Sequence, residues 1–283
     1  MQMIHDRQIL IVGLGLIGGS YARALKRLGF HVLATDKDPD TIAYALLNGI
    51  IDEGCTDDSL TGRADCIVIA LYPSLVADWI RAHQDKFRSG VILTDVTGIK
   101  SSVVYDVQKI LREDAEFIAA HPMAGREVGG VQNSDERIFR DANYIVVPTK
   151  KNTPEAVAWC RDLGRLLGFS HIVELTPKEH DSMIAYVSQL THCIAVALMT
   201  CEDNEHVSEY TGDSFRDLTR IANINEEMWT ELFFMNREPL LERLDTFLAE
   251  LSSIRDMIDT QDADALKEKM RLSSKRRSRF DRK

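Results

Sequence analysis

A glycine pattern, one histidine and a pair of arginines are the residues whose type and spacing could do chemistry. Gly13-Leu14-Gly15-Leu16-Ile17-Gly18 follows the apolar run 8–12 (QILIV) and opens a stretch of helical period. In that setting GxGxxG holds a dinucleotide. The first glycine makes the turn, the second lets the backbone approach a pyrophosphate, and the third lets the helix pack on the strand. Free N–H groups at the helix start then face the phosphates. Gly13, Gly15, Leu16, Ile17 and Gly18 are the expected cofactor-binding residues. Asp36, 18 residues after Gly18, follows the next apolar run. A carboxylate there accepts hydrogen bonds from ribose hydroxyls and repels a 2′-phosphate, which favours NAD over NADP. Lys37, beside it, softens that repulsion.

Ligands of such sheets lie outside the carboxyl ends of the strands. Two polar segments fall there, 95–101 (DVTGIKS) and 121–127 (HPMAGRE). His121 opens the second. A neutral imidazole can take the proton of a hydroxyl as hydride leaves the carbon, although a lone loop histidine is as often structural. Further along, His180-Asp181 are adjacent, while Ser188 and His192, and Arg216 and Arg220, are each four apart on one helical face. An arginine in a cleft grips a carboxylate with two parallel hydrogen bonds; the plainer alternative is a surface ion pair.

The elements that must position these residues alternate in the first half. Apolar runs at 8–12, 31–35, 66–71, 91–94, 117–120 and 144–147 read as strands. Helical stretches at 16–28, 39–47, 75–87 and 154–167 lie between or after them, and 171–174 reads as a closing strand. That alternation predicts an α/β domain with a doubly wound, Rossmann-type parallel sheet. Beyond residue 176 only helices are expected, at 180–200, 214–221 and 226–258. The expected domains are 1–176, binding the dinucleotide, and 177–283, all-helical, which would bury more of its apolar surface as a dimer.

Composition bounds the function. With 45% hydrophobic and 28% charged residues the 283-residue chain is expected to be an ordinary folded protein. Its net charge of −10 speaks against a nucleic-acid binder, although 267–283 carries nine basic residues against two acidic ones. That tail reads as a solvated helix end. The five cysteines lack CxxC spacing, so neither a disulfide framework nor a metal site is expected. No secretory signal or membrane span is expected, which favours the cytoplasm.

Taken together, GLGLIGGS at 13–20, TDVTGIKSSV at 94–103, HPMAGRE at 121–127, HD at 180–181, SQLTH at 188–192, FRDLTRIA at 215–222 and MW at 228–229 resemble the prephenate dehydrogenase family of tyrosine biosynthesis. The segments come in the family's order along nearly the whole chain. The resemblance implies an N-terminal Rossmann-type domain and a helical C-terminal dimerisation domain. It implies NAD-dependent oxidative decarboxylation of prephenate to 4-hydroxyphenylpyruvate and CO2, without a metal. His121 matches the catalytic histidine and Arg220 the arginine that binds a substrate carboxylate. His192 matches a second active-site histidine and Trp229 a residue lining the pocket. Glu127 and Asp217 match acidic residues that form an ionic network with that arginine.

Two positions depart from the family pattern. Gly98 stands where some members have a serine, which leaves Thr97 or Ser101 to offer the substrate a hydroxyl. Arg126 stands where some have a small hydroxyl residue, and it faces either the substrate side chain or a surface partner. The 283 residues leave no room for the regulatory ACT domain or fused chorismate mutase of some relatives, so any inhibition by tyrosine is expected at the active site. Arogenate, the amino analogue of prephenate, is the close alternative substrate. A β-hydroxyacid dehydrogenase leaves HPMAG and TRIA without a role, and a non-catalytic NAD-sensing regulator leaves His121, His192 and Arg220 without one.

Overall fold

The apolar runs form strands in the computed structural model, which describes residues 7–280. Strands β1 (Ile9–Val12), β2 (Val32–Thr35), β3 (Glu53–Cys55), β4 (Cys66–Ile69), β5 (Ile92–Asp95) and β6 (Glu116–Phe117) make one parallel sheet in the order β3-β2-β1-β4-β5-β6. The direction of winding reverses between β1 and β4, and open α/β sheets bind their ligands beside that point. β1, β2 and β4 are buried along their whole length, hence continuous apolar runs rather than alternation. Ile9 and Ile11 enter one core and Leu10 and Val12 another, as the two-residue period of a strand covered on both faces requires.

The covering helices are α1 (Leu16–Arg27), α2 (Pro39–Leu47), α3 (Pro73–His83), α4 (Ser101–Ile110) and α5 (Pro154–Leu167). Proline at the first helical position starts α2, α3 and α5, where its missing N–H costs nothing. Gly168, left-handed at φ 98°, ends α5.

The expectation of a single parallel sheet needs correction. β7 (Ala119–Met123), β8 (Asn143–Val147) and β9 (His171–Glu174) form a second sheet, with β7 antiparallel to β8 and β8 parallel to β9. The expected strand 117–120 is where the chain passes between them. Ile118 still donates its N–H to Leu93 O of the large sheet at 2.9 Å, and Ala119 begins the small one. His121 therefore lies within β7, paired with Ile145, and not on a loop.

The helical part starts at α6 (Pro177–Ile184), capped by Thr176 and Glu179, which satisfy each other's backbone N–H groups. A π-helical turn (Ala185–Gln189) joins it to α7 (Leu190–Thr200). α8 (Val207–Tyr210), α9 (Asp213–Thr219) and α10 (Glu226–Met235) follow. The continuous helix Pro177–Thr200 is long and apolar enough to cross a membrane by length and composition alone, so the expectation that no stretch would reach that limit was too strict.

The expected helix 226–258 is interrupted at Asn236. Its side-chain amide donates to Asp181 O at 2.9 Å and Gln189 Oε1 at 2.7 Å, and its backbone leaves helical geometry. Asn236 also closes the first of two compact units; the second begins at Arg237 and consists of α11 (Arg237–Asp259), α12 (Ala263–Arg277) and one short turn after them. Within the second unit Lys269 Nζ joins Glu250 at 2.7 Å and Ser253 at 3.2 Å. The last three residues of the basic tail lie outside the described residues.

Candidate active site

The glycine loop is shaped by contacts that leave no room for side chains at two of its three glycines. Gly13 has φ +88°, and a Cβ there would stand 2.6 Å from Ala70 O. A Cβ on Gly18 would stand 2.0 Å from Gly13 O, so only glycine lets α1 pack this closely. Gly15 is different, since a Cβ there would meet nothing within 4 Å. It caps α1 without a side-chain hydrogen bond, and no acidic residue occupies the helix's first turn. Leu16 is buried behind this opening and Ile17 half-buried. The result is an uncapped, electropositive helix start open to an incoming anion. Asp36 is tied to the same loop. Its Oδ2 accepts the Leu14 N–H at 2.7 Å and its Oδ1 the Asp38 N–H at 3.0 Å. A dinucleotide's pyrophosphate and ribose fit this arrangement.

His121 leaves β7 and meets a buried pair from α6. Its Nδ1 lies 2.9 Å from His180 Nε2, and His180 Nδ1 lies 2.8 Å from Asp181 Oδ1. Gly98 borders the Cε1–Nε2 edge of the His121 ring; a Cβ there would come within 3.8 Å of Cε1, 3.9 Å of Nε2 and 3.4 Å of Leu232. A Cβ at 98 would stand in ordinary van der Waals contact with that edge of the ring. Burial, with smaller contributions from His180 and the Lys100 ammonium, lowers the His121 pKa well below its ordinary 6.5. The ring is uncharged at neutral pH, the state a proton acceptor needs.

The segment after β5 lies under this histidine. Lys100 is fully buried, and its Nζ lies 2.5 Å from Asp95 Oδ2 and 3.1 Å from Thr97 Oγ1. Burial lowers the Lys100 pKa, and the Asp95 carboxylate opposes that shift. Asp95 also accepts the Ala120 N–H at 3.3 Å, which ties the segment to the strand carrying His121. Thr97 and Ser101 belong to this buried network. The Thr97 hydroxyl bonds Asp95 and, at 2.9 Å, Ile99 O, while Ser101 donates its N–H to Asp181 Oδ2 at 2.8 Å. The expectation that one of them offers its hydroxyl to substrate is corrected accordingly for Thr97, which is 4% exposed with its oxygen already engaged.

A second group comes from the helices. The His192 ring stacks on Trp229 at 3.6 Å between centroids, and its Nδ1 lies 2.9 Å from Ser188 O. A carbonyl only accepts, so Nδ1 carries the proton and Nε2 is left for a ligand. Arg220 pairs with Glu127, six residues beyond His121 in sequence. The charges of Glu127 and Arg220 both reach His192, which places the three together. Asp217 is exposed and makes no ion pair among the described residues, so of the expected ionic network only the Glu127–Arg220 half is formed. Arg126 takes a surface partner, Asp135, at 3.2 Å. Among the described residues no group of three or more His, Cys, Asp or Glu could hold a metal.

His180, Asp181, Asp95 and Lys100 are the polar residues whose part in the site sequence reasoning missed. The HD pair and the DVTGIKS segment marked them, but nothing in their spacing joins partners up to 81 residues apart.

Comparison with known proteins finds similarity along both parts of the chain. Residues 21–173 match the family described as prephenate dehydrogenase, nucleotide-binding domain, and residues 176–272 the prephenate dehydrogenase dimerization domain. The prephenate dehydrogenase of Bacillus subtilis is 32% identical over 271 residues, covering 91% of this chain and 72% of that protein. Among solved structures, prephenate dehydrogenase from A. aeolicus in complex with hydroxyphenyl propionate and NAD+ has a TM-score of 0.89 at 27% identity, covering 97% of this chain and 98% of that one. Synechocystis arogenate dehydrogenase has a TM-score of 0.83 at 26% identity, covering 96% of this chain and 99% of that one.

Proposed function

The chain belongs to the prephenate dehydrogenase family, and from that premise we propose that it converts prephenate to 4-hydroxyphenylpyruvate and CO2 with NAD+. It is an NAD-dependent oxidoreductase with a Rossmann-type first domain. NAD+, when bound, supplies the hydride acceptor. The glycine loop and the start of α1 hold its pyrophosphate, and Asp36 its ribose.

The chain's own residues do the rest. His121 Nε2 takes the proton of the ring hydroxyl, which prepares that carbon to become a ketone and the ring carboxylate to leave. Arg220 holds a substrate carboxylate, with Glu127 keeping the guanidinium in place beforehand. His192, stacked on Trp229, presents Nε2 to the substrate as a further polar contact, and the Trp229 face packs against its ring. Thr97 and Ser101 act from behind, on Asp95 and Asp181. Prephenate carries two carboxylates, so a guanidinium in an otherwise acidic chain is the complementary grip.

We place the division of labour at 176: residues 1–176 bind the cofactor, and 177–283 complete the substrate site and dimerise. The match to a dimerization domain supports a homodimer. No partner in nucleic acid or membrane is proposed. The described cysteines are free, which suits the cytoplasm.

The observation that carries the reading is the geometry at half-buried His121, whose Nδ1 lies 2.9 Å from buried His180 while Gly98 borders the Cε1–Nε2 edge of its ring. Reduced-nicotinamide absorbance with purified chain, NAD+ and either prephenate or arogenate tests it. Turnover of prephenate is expected. Turnover confined to arogenate would move the assignment to the amino substrate, and turnover of neither would overturn it.

A further inference from the structure

We propose that the buried pair His180–Asp181 decides which nitrogen of His121 carries its proton, so that Nε2 meets the substrate as an acceptor and never as a donor. The inference rests on reading His121 as the proton acceptor.

Polarity can be followed from the inner end outward. Asp181 accepts three hydrogen bonds, from Lys100 N at 2.9 Å, Ser101 N at 2.8 Å and His180 Nδ1 at 2.8 Å. Burial raises its pKa, but the bonds from His180 and Ser101 outweigh this and keep it below the usual carboxylate range. It is ionised and only accepts, so His180 Nδ1 must donate. His180 is 0% exposed and burial disfavours its charged form. A neutral ring with its proton on Nδ1 has a bare lone pair on Nε2. That lone pair faces His121 Nδ1 at 2.9 Å. Two lone pairs cannot share this contact, so His121 Nδ1 carries the proton and the Nε2 of neutral His121 is bare. The acceptor character of one carboxylate is thus transmitted through two rings to the substrate side. Imidazole in water prefers the opposite tautomer, with its proton on Nε2, and that form would meet a substrate hydroxyl with a second donor.

The same chain serves the charged state. Once the substrate hydroxyl's proton moves to His121 Nε2, its Nδ1–H still points at the lone pair of His180. The new positive charge then faces a ring backed by the Asp181 carboxylate. Among the described residues, the charged or titratable groups around His121 are His180 and Asp181 from α6, Asp95 at the end of β5 and Lys100 from the segment after it. Lys100 opposes the charge on His121, and its pairing with Asp95 limits that opposition. His180 and Asp181 are positioning residues; they act through His121.

The tautomer is read directly by nitrogen-15 NMR of histidine-labelled full chain, with the His121 signals identified by their loss in His121→Asn. Near neutral pH, Nδ1 is expected to be protonated and Nε2 bare in the wild-type protein. A proton on Nε2 there overturns the proposal without need of any further variant. Removing the lone pair in His180→Phe is expected to unfix the tautomer and lower kcat by at least about tenfold, with KM for prephenate little changed, since a misdirected imidazole loses much of its general-base advantage. His180→Gln is the rescue: Asp181 orients the amide NH2 inward, the amide oxygen accepts from His121 Nδ1, and most of kcat should return. Wild-type kcat in His180→Phe also overturns the proposal. Failure of the functional reading looks different: the expected tautomer would be present in a chain that does not turn over prephenate.

Discussion

An imidazole is a base only while it is uncharged, and half-buried His121 owes that state to its surroundings. Its lowered pKa means that it stays neutral further into acid than an exposed histidine. The acid limb of kcat/KM should therefore fall well below pH 6.5, with a flat rate through neutrality, as a pH profile would record. A limb at or above 6.5 would contradict the assignment. His121→Asn should lower kcat by roughly 10²–10⁴-fold with KM little changed, because it removes proton acceptance in the transition state. Arg220→Ala should instead raise KM for prephenate by about 10- to 150-fold, the equivalent of the roughly 1.5–3 kcal/mol of a charge-assisted contact. Residue type and position made His121 a candidate, and only the family resemblance singled out Arg220 from Arg216. Residue types did not reveal that Thr97 serves Asp95, nor that Asp181 holds the backbone of Lys100 and Ser101 from 81 and 80 residues away. A hydroxyl or carboxylate looks the same in a sequence whether it faces substrate or a buried donor; its direction is set by long-range packing.

At the scale of elements, the turn from β1 into α1 separates two uses of glycine. Gly18→Ala would push a methyl into Gly13 O, and the backbone must move. Overpacking of this kind costs about 1–3 kcal/mol, so a lower melting temperature and weaker NAD+ binding are expected together. Gly15→Ala meets no protein atom within 4 Å, and its loss of stability at the N-cap should be about 1 kcal/mol or less. Its methyl occupies the space a pyrophosphate needs, so KM for NAD+ should rise while the melting curve scarcely moves. Thermal melts beside NAD+ titrations distinguish the two. This element was legible because GxGxxG, a buried strand and a helix agree with one another. β3 was not: it is three residues, Glu53-Gly54-Cys55, half-buried and carrying a glycine, with no period to read. The break after Phe117 was equally hidden, since FIAA is apolar throughout and only pairing partners show the chain leaving one sheet for another.

For the whole molecule, the question is what covers the apolar side chains that the first compact unit leaves in water. Met183 and Val187, four apart on the helix Pro177–Thr200, are 47% and 46% exposed, and Phe234 of α10 is 73% exposed. The sequence indicated a helical second half from 177, yet compactness divides the chain at Asn236, because helices α6 to α10 pack within the first unit. A membrane is one conceivable cover for so apolar a helix, but the same helix carries buried His180 and Asp181 on its inner side and His192 toward Trp229. Those groups must stay in register with β7 and α10 for the site to exist, so a second copy of the chain is the cover consistent with catalysis. Sedimentation should therefore find a dimer, and the melting temperature should rise with protein concentration, as mass action requires when only the folded state associates. The double variant Met183→Asp/Val187→Asp places two charges where apolar surface would be buried and should shift the equilibrium toward monomer. A wild-type chain that sediments as a monomer at micromolar concentration with full turnover would mean that these side chains are covered by something else.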